Sequence, residues 1–256
     1  MTWLRTLRPA PPGALRLVCL PHAGGAAHSY LQLAEALGPG VEVLGVQYPG
    51  RYDRMADPLI GDLKMMAGHI AAALGPLRDA PLALFGHSLG GLLGYEVAAR
   101  LEAVGSGPAH LFVSAMLAPS RHHHDGVHLR DDEQILAEIA RLGGTQTVSV
   151  AEEMFLRLLL PAVRSDYRAF ETYTDPGHRL SCPVTAFLGD ADPLVTVDEA
   201  RAWAGHTTGP FALRLLPGGH FYLTDPGNTA EIARELSGQP TGATRPSRHP
   251  VSAHSS

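Results

Sequence analysis

The sequence predicts an α/β fold, a mostly parallel sheet flanked by helices with a helical insertion late in the chain. Three observations predict it. From Leu15 to Ala115, short β-type runs alternate with helical patterns, the order a parallel sheet with crossover helices requires. Between about 120 and 178 the alternation stops, helical stripes appear without a convincing strand, and strands resume at Pro183. The chain has 256 residues, 45% hydrophobic and 18% charged, which suits one folded domain with a large core rather than a disordered chain.

The elements follow in order. Leu15–Leu20 reads as a strand, ended by the turn Pro21-His-Ala-Gly-Gly25. Tyr30–Leu37 is helical, and Val41–Gln47 is a strand closed by Tyr48-Pro-Gly-Arg51, since Pro and Gly favour turns. Leu59–Leu74 is helical and stops near Gly75-Pro76. Leu82–Phe85 is a strand, Leu89–Ala103 a helix and Leu111–Ala115 a strand. In the insertion, Asp131–Leu142 carries Ile135, Leu136, Ile139 and Leu142 on one helical stripe. Glu152–Tyr173 is a second helical region, interrupted at Pro161. An insertion of this length, about 120–178, typically forms a lid or substrate-binding cap. Pro183–Leu188 and Phe211–Leu216 complete the strands, with short helices at Thr196–Trp203 and Thr229–Leu236. Residues 1–237 thus form one domain. Residues 238–256 lack apolar content and are expected to be a disordered tail. No internal repeat is visible.

Bulk properties exclude several classes. The net charge of −5 gives no basic face for nucleic acid. The N-terminal segment has neither a long apolar core nor a cleavage site, so no secretory signal is expected. No apolar run approaches the roughly 20 residues that span a bilayer. Cys19 and Cys182 each lie in an apolar stretch, so packed free thiols are expected, as in a reducing compartment. These observations predict a cytoplasmic protein.

The motif that carries chemistry is Gly86-His-Ser88-Leu-Gly90, between an apolar run and a helical pattern. That context fits a nucleophile elbow, in which a sharp strand-to-helix turn exposes the serine hydroxyl. A serine hydroxyl is a poor nucleophile at neutral pH and needs a base, which in turn needs a third group to orient it. In α/β-hydrolases these follow in the chain order Ser, Asp or Glu, His. Pro217-Gly-Gly-His220 follows a strand and offers His220 as the base. His206 and His178 do not directly follow a strand. The acid comes from Gly189-Asp190-Ala-Asp192-Pro193. Asp192 is favoured, because Pro193 biases it toward extended backbone and supplies no competing N–H. Asp190 then serves as a turn residue and remains the alternative acid. A tetrahedral intermediate needs two backbone donors. The N–H of Leu89, at the start of the elbow helix, is one candidate. Ala23, in the small-residue loop after the first predicted strand, is the other.

Other features have plainer readings. His122-His123-His124 with Asp125 and His128 looks metal-like, but adjacent histidines in a loop do not converge as zinc ligands do. No metal or cofactor is expected. Gln47-Tyr-Pro-Gly-Arg51-Tyr-Asp-Arg54 is either a turn with surface charges or a shaper of the site mouth that meets an anionic partner through Arg51 or Arg54. Met65 and Met66 read as core or half-core.

With these motifs in place, the chain resembles the stand-alone type II thioesterases of polyketide and nonribosomal-peptide biosynthesis. The resemblance lies in Leu20-Pro-His-Ala-Gly-Gly25, Val46-Gln-Tyr-Pro-Gly-Arg-Tyr-Asp-Arg54, Gly86-His-Ser-Leu-Gly-Gly91, Leu142-Gly-Gly-Thr145, Leu160-Pro-Ala-Val-Arg-Ser-Asp-Tyr167 and Gly218-Gly-His-Phe-Tyr222. It implies an α/β-hydrolase fold and hydrolysis of acyl groups from the phosphopantetheine arm of acyl or peptidyl carrier domains, an editing role. It implies Ser88, Asp192 and His220 as the triad, the backbone of Ala23 and Leu89 as the oxyanion hole, and the 120–178 insertion as a flexible lid over the acyl chamber. Leu89 stands where many members carry Met, a nearly volume-conserving swap. A monomer is expected. The rival expectations are an esterase or lipase for small soluble esters, a non-catalytic carrier-protein binder, and an acyltransferase.

Overall fold

The computed structural model describes residues 3–77, 79–143 and 150–238. Its strands are β1 (Leu4–Arg8), β2 (Leu15–Leu20), β3 (Val41–Val46), β4 (Leu82–His87), β5 (His110–Ser114), β6 (Val184–Gly189) and β7 (Phe211–Leu216). They form one sheet in the order β1-β3-β2-β4-β5-β6-β7. Every neighbouring pair is parallel except β1 with β3. The sequence reading lacks β1. Leu4-Arg-Thr-Leu-Arg8 is a short edge strand with an irregular register, and it carries no continuous apolar run to betray it.

The helices are α1 (Leu31–Ala36), α2 (Leu63–Leu74), α3 (Leu89–Ala103), α4 (Asp132–Gly143), α5 (Val150–Glu171), α6 (Val197–Arg201) and α7 (Pro226–Leu236). Strand alternation divides the core in two. Val18 and Leu20 of β2 pack with α2 and α3, whereas Leu17 and Cys19 pack with α1 and α7. The cysteines are free and buried.

Local chemistry corrects several predicted boundaries. Helix α2 starts at Leu63 rather than Leu59, because the Asp62 side chain accepts the Met65 N–H at 2.7 Å as an N-cap. Helix α7 starts at Pro226, ahead of the predicted Thr229. Asp225 caps it and Pro226 takes the first turn, where a missing N–H costs nothing. Helix α5 runs through Pro161 without interruption. Leu159, Leu160, Ala162 and Val163 around that proline are all buried, and their packing overrides the local cost of a proline in a helix. Met66 is buried, but Met65 is 57% exposed and belongs to no core.

The insertion between β5 and β6 holds α4 and α5, and its own small core gathers Val127, Ile135, Leu159, Leu160 and Val163. Gly144 and Thr145 of the Leu142-Gly-Gly-Thr145 motif lie outside the described residues, as does the predicted tail beyond Gly238. No helix among the described residues is long and apolar enough to cross a membrane.

The parallel strands aim their C-terminal ends at one edge. The loops leaving β2, β4, β5, β6 and β7 there carry Ala23, Ser88, Ala115, Asp192 and His220 in turn. Ligands of open α/β sheets bind at this edge.

Candidate active site

Ser88 occupies the turn between β4 and α3 with φ 53° and ψ −126°, a conformation costly for a residue with a Cβ and typical of functional turns. Its own N–H donates to the Ser114 carbonyl at 2.8 Å, and its carbonyl accepts from Gly91 at 2.8 Å. The flanking glycines make the turn possible. A Cβ at Gly86 would lie 2.0 Å from the Gly90 carbonyl oxygen, and one at Gly90 would lie 1.9 Å from that of Leu20. Helix α3 therefore sits directly against the end of β2. Leu89 is its first residue, so the Leu89 N–H has no partner within the helix.

His220 and Asp192 come from the loops after β7 and β6. Nδ1 of His220 lies 2.9 Å from Oδ2 of Asp192 and 3.2 Å from Oδ1. Both side chains are closed to solvent. The second carboxylate oxygen also accepts locally, since Oδ1 takes the Leu194 N–H at 2.8 Å. Asp190 turns elsewhere. It accepts the Gly218 N–H at 2.9 Å, so it fastens the loop that carries His220 rather than capping only its own turn. His206 is tied to Ser120 Oγ at 2.9 Å and to the Tyr95 hydroxyl at 3.3 Å, away from the serine loop.

Ala23, Ser88, Leu89 and His220 share the wall of one cavity of about 80 Å³. Ala115, Met116, Leu117, Phe170 and Val195 supply much of its apolar surface, and Glu138, Tyr167 and Glu171 bring polar groups from α4 and α5. Burial raises the Glu171 carboxyl, but donors from His128 and Val127 outweigh it and hold the group below the usual range. Glu171 thereby pins residues 127–128 to α5.

Beneath the serine lies a buried polar chain that sequence reasoning missed. His87 Nδ1 is 2.9 Å from Ser114 Oγ, which is 2.6 Å from the Tyr222 hydroxyl. The His87 ring lies 5.3 Å from that of His220 and 5.8 Å from that of His22. Burial, followed by the neighbouring imidazoles, pushes His22 down to about 4 and His87 well below its ordinary value, so both are neutral near pH 7.

The histidine run after β5 does not present itself as a ligand set. His122 packs edge-on against Phe170 and Tyr173 with both ring nitrogens buried and unpartnered among the described residues. His123 turns instead to Asp125, at 3.5 Å. Arg51 and Arg54 are not surface charges. Arg51 is 1% exposed and pairs with Asp166 of α5. Arg54 pairs with Asp57 at 2.7 Å and donates to the Gln47 carbonyl at 2.8 Å. The anionic partner of Arg51 is thus internal. Asp166 was within reach of the sequence, since it shares a helical stripe with Leu159, Val163 and Phe170, where a lone carboxylate demands a partner.

A mostly parallel sheet with a serine turn after β4, an acid after β6 and a histidine after β7 defines a protein of the α/β-hydrolase class. Within that class the chain belongs to the thioesterase family, whose thioesterase domain matches residues 15–239. It is 49% identical over 238 residues to the "Probable cadicidin biosynthesis thioesterase" of Streptomyces griseus, covering 91% of this chain and 66% of that protein, just under two thirds of its length. It is 48% identical to "Thioesterase PikA5" of Streptomyces venezuelae, covering 92% of this chain and 84% of that protein. Among solved structures, the type II thioesterase BorB from the borrelidin biosynthetic cluster superposes with a TM-score of 0.82 at 44% identity, over 93% of this chain and 97% of that one.

Proposed function

We propose that this chain is a type II thioesterase that hydrolyses acyl groups from the phosphopantetheine arm of acyl or peptidyl carrier domains, an editing enzyme of polyketide or nonribosomal-peptide biosynthesis. The observation that carries this reading is the closed His220–Asp192 contact at 2.9 Å beside a cavity that Ser88 also lines. The relatives named for biosynthetic thioesterases, and BorB from a biosynthetic cluster, support the choice of a carrier-bound substrate.

In this reading Asp192 holds His220 in the tautomer with Nδ1 protonated and leaves Nε2 to take the Ser88 proton. Ser88 attacks the thioester carbonyl, and the N–H groups of Ala23 and Leu89 stabilise the oxyanion. The carbon–sulfur bond breaks, and His220 returns the proton to the departing thiol. Water then attacks the acyl-serine, His220 takes its proton, and a free acid leaves with Ser88 restored. A thiol departs readily, so general-acid help matters less than in amide cleavage. The small cavity suits a short acyl chain. Residues 1–237 are one catalytic domain, and the 120–178 insertion is the lid over the acyl chamber. A reducing, cytoplasmic setting fits the two buried free thiols.

The deciding experiment gives purified protein a panel of acyl-loaded carrier domains, with simple esters at equal concentration, and follows acid release. Acid release from carrier thioesters, lost in Ser88→Ala, is the expected result. Undiminished turnover by Ser88→Ala, or a preference for simple esters, would refute the proposal.

A further inference from the structure

The loop that carries Ala23 is held by one short segment of sequence and by one acid from α5. Gln47 Oε1 accepts the Ala27 N–H at 3.1 Å, and the Tyr48 hydroxyl donates to the Pro21 carbonyl at 3.0 Å. These bonds fix the two ends of the loop. Its middle is held differently, because the Gly24 N–H donates to Oδ2 of Asp166 at 2.8 Å. The same oxygen receives Nη2 of Arg51, whose Nη1 donates to the Pro49 carbonyl at 2.9 Å and whose guanidinium lies over the Tyr48 ring. Asp166 and Arg51 are 2% and 1% exposed. Gly24 also packs closely on α5, since a Cβ there would stand 2.9 Å from Val163 Cγ2.

A buried carboxylate with two donors is a rigid anchor, and its charge is sustainable only because Arg51 stands against it. Gly24 directly follows Ala23, so the Gly24 amide and the Ala23 carbonyl share one rigid peptide plane. Fixing that plane restricts where the Ala23 N–H can point. Helix α5 is meanwhile bound to the chamber wall, through Glu171 to residues 127–128 and through Arg164 to the His128 and Arg130 carbonyls. One helix therefore grips both the oxyanion loop and the acyl cavity.

We infer that Asp166 is a positioning residue for the oxyanion hole, holding the Ala23 donor in place through Gly24, so that the seating of α5 sets transition-state stabilisation at Ser88. This rests on the reading of Ala23 as an oxyanion donor. It also makes the C-terminal half of α5 part of the catalytic frame rather than of a lid that moves freely.

The test uses the full chain as Asp166→Asn, with Ser88→Ala beside it. The substrate is a short acyl-pantetheine thioester, and a trifluoromethyl ketone analogue reports affinity for a tetrahedral serine adduct. We expect kcat to fall by about 10- to 100-fold, as for a displaced oxyanion donor, with KM within about threefold. Adduct affinity should fall by the same factor as kcat, and the Gly24 amide proton should shift upfield in the ¹H–¹⁵N spectrum as it loses a charged acceptor. An unchanged kcat overturns the inference, as does a loss confined to KM or a loss of kcat with adduct affinity intact. If Asp166→Asn does not fold, the charge-neutral pair Arg51→Gln with Asp166→Asn carries the same readouts. Turnover surviving in Ser88→Ala would instead defeat the reading of the site itself. With Ser88→Ala inactive, the Asp166 outcomes judge this inference alone.

Discussion

The carboxylate of Asp192 meets Nδ1 of His220 at 2.9 Å, with the acid fully closed to solvent and the imidazole 2% exposed. A contact so sealed fixes the ring orientation and the tautomer together. Asp192→Asn should therefore lower kcat by about 10⁴ while leaving the fold intact. Asp190→Ala removes only the bond to Gly218 and should cost about 1 kcal/mol of stability with a much smaller loss of kcat. Steady-state kinetics and urea unfolding of both variants check this. Equal kinetic losses would show that the two acids had not been told apart.

The elbow depends on close backbone approach. Gly90→Ala would place a Cβ 1.9 Å from the Leu20 carbonyl oxygen and 2.6 Å from its carbon. Backbone cannot yield as a side chain does, so a loss beyond about 4 kcal/mol is expected. Gly94→Ala, one turn further along α3, meets only the side-chain ends Leu111 Cδ1 at 3.1 Å and Leu20 Cδ1 at 3.8 Å. Its gain in helix propensity, about 0.8–1 kcal/mol, should leave it near neutral. Thermal melts of the two variants measure the contrast.

The His87–Ser114–Tyr222 chain predicts a cost for removing its end. Tyr222→Phe leaves the buried Ser114 hydroxyl one partner short and should destabilise by roughly 1–3 kcal/mol. Because this chain underlies the His220 ring, a modest fall in kcat should accompany it. Full stability in Tyr222→Phe would contradict this account of the buried network.

Five histidines, His22, His87, His110, His122 and His206, are held below their ordinary value by burial and give a pH dependence with a definite sign. Burial pushes His22 and His122 down to about 4 and His87 well below its usual 6.5. As pH falls below about 6.5, the unfolded chain takes up protons that these folded sites refuse. Stability should thus be lost as pH falls from 6.5 towards 4, and His22 and His122 should add no further loss below about 4. Urea midpoints between pH 7.5 and 5 test this. His122→Phe, in a site walled by Phe170 and Tyr173, should flatten the slope.

Much of this was legible in the sequence because it is local. A strand feeding Gly86-His-Ser88 and a helix leaving it needs only period and turn chemistry. The loops carrying Asp192 and His220 followed from their places after β6 and β7, and the structure brings those two side chains together. Strand β1 escaped because a five-residue edge strand with only two leucines, interrupted by Arg5, Thr6 and Arg8, has little apolar signal. Pro161 misled because packing on both sides of it outweighs intrinsic propensity.

What the sequence determined by itself was the succession of six of the seven strands along the chain, the sharp turn at Ser88 and the residue types available to a hydrolytic site. Only the tertiary structure decided that Arg51 is buried, that its counter-charge is Asp166 far along the chain, and that the same carboxylate holds Gly24. Periodicity and turn preference act between neighbours in the chain. The pairing of buried charges is chosen by which surfaces the packed core leaves facing each other.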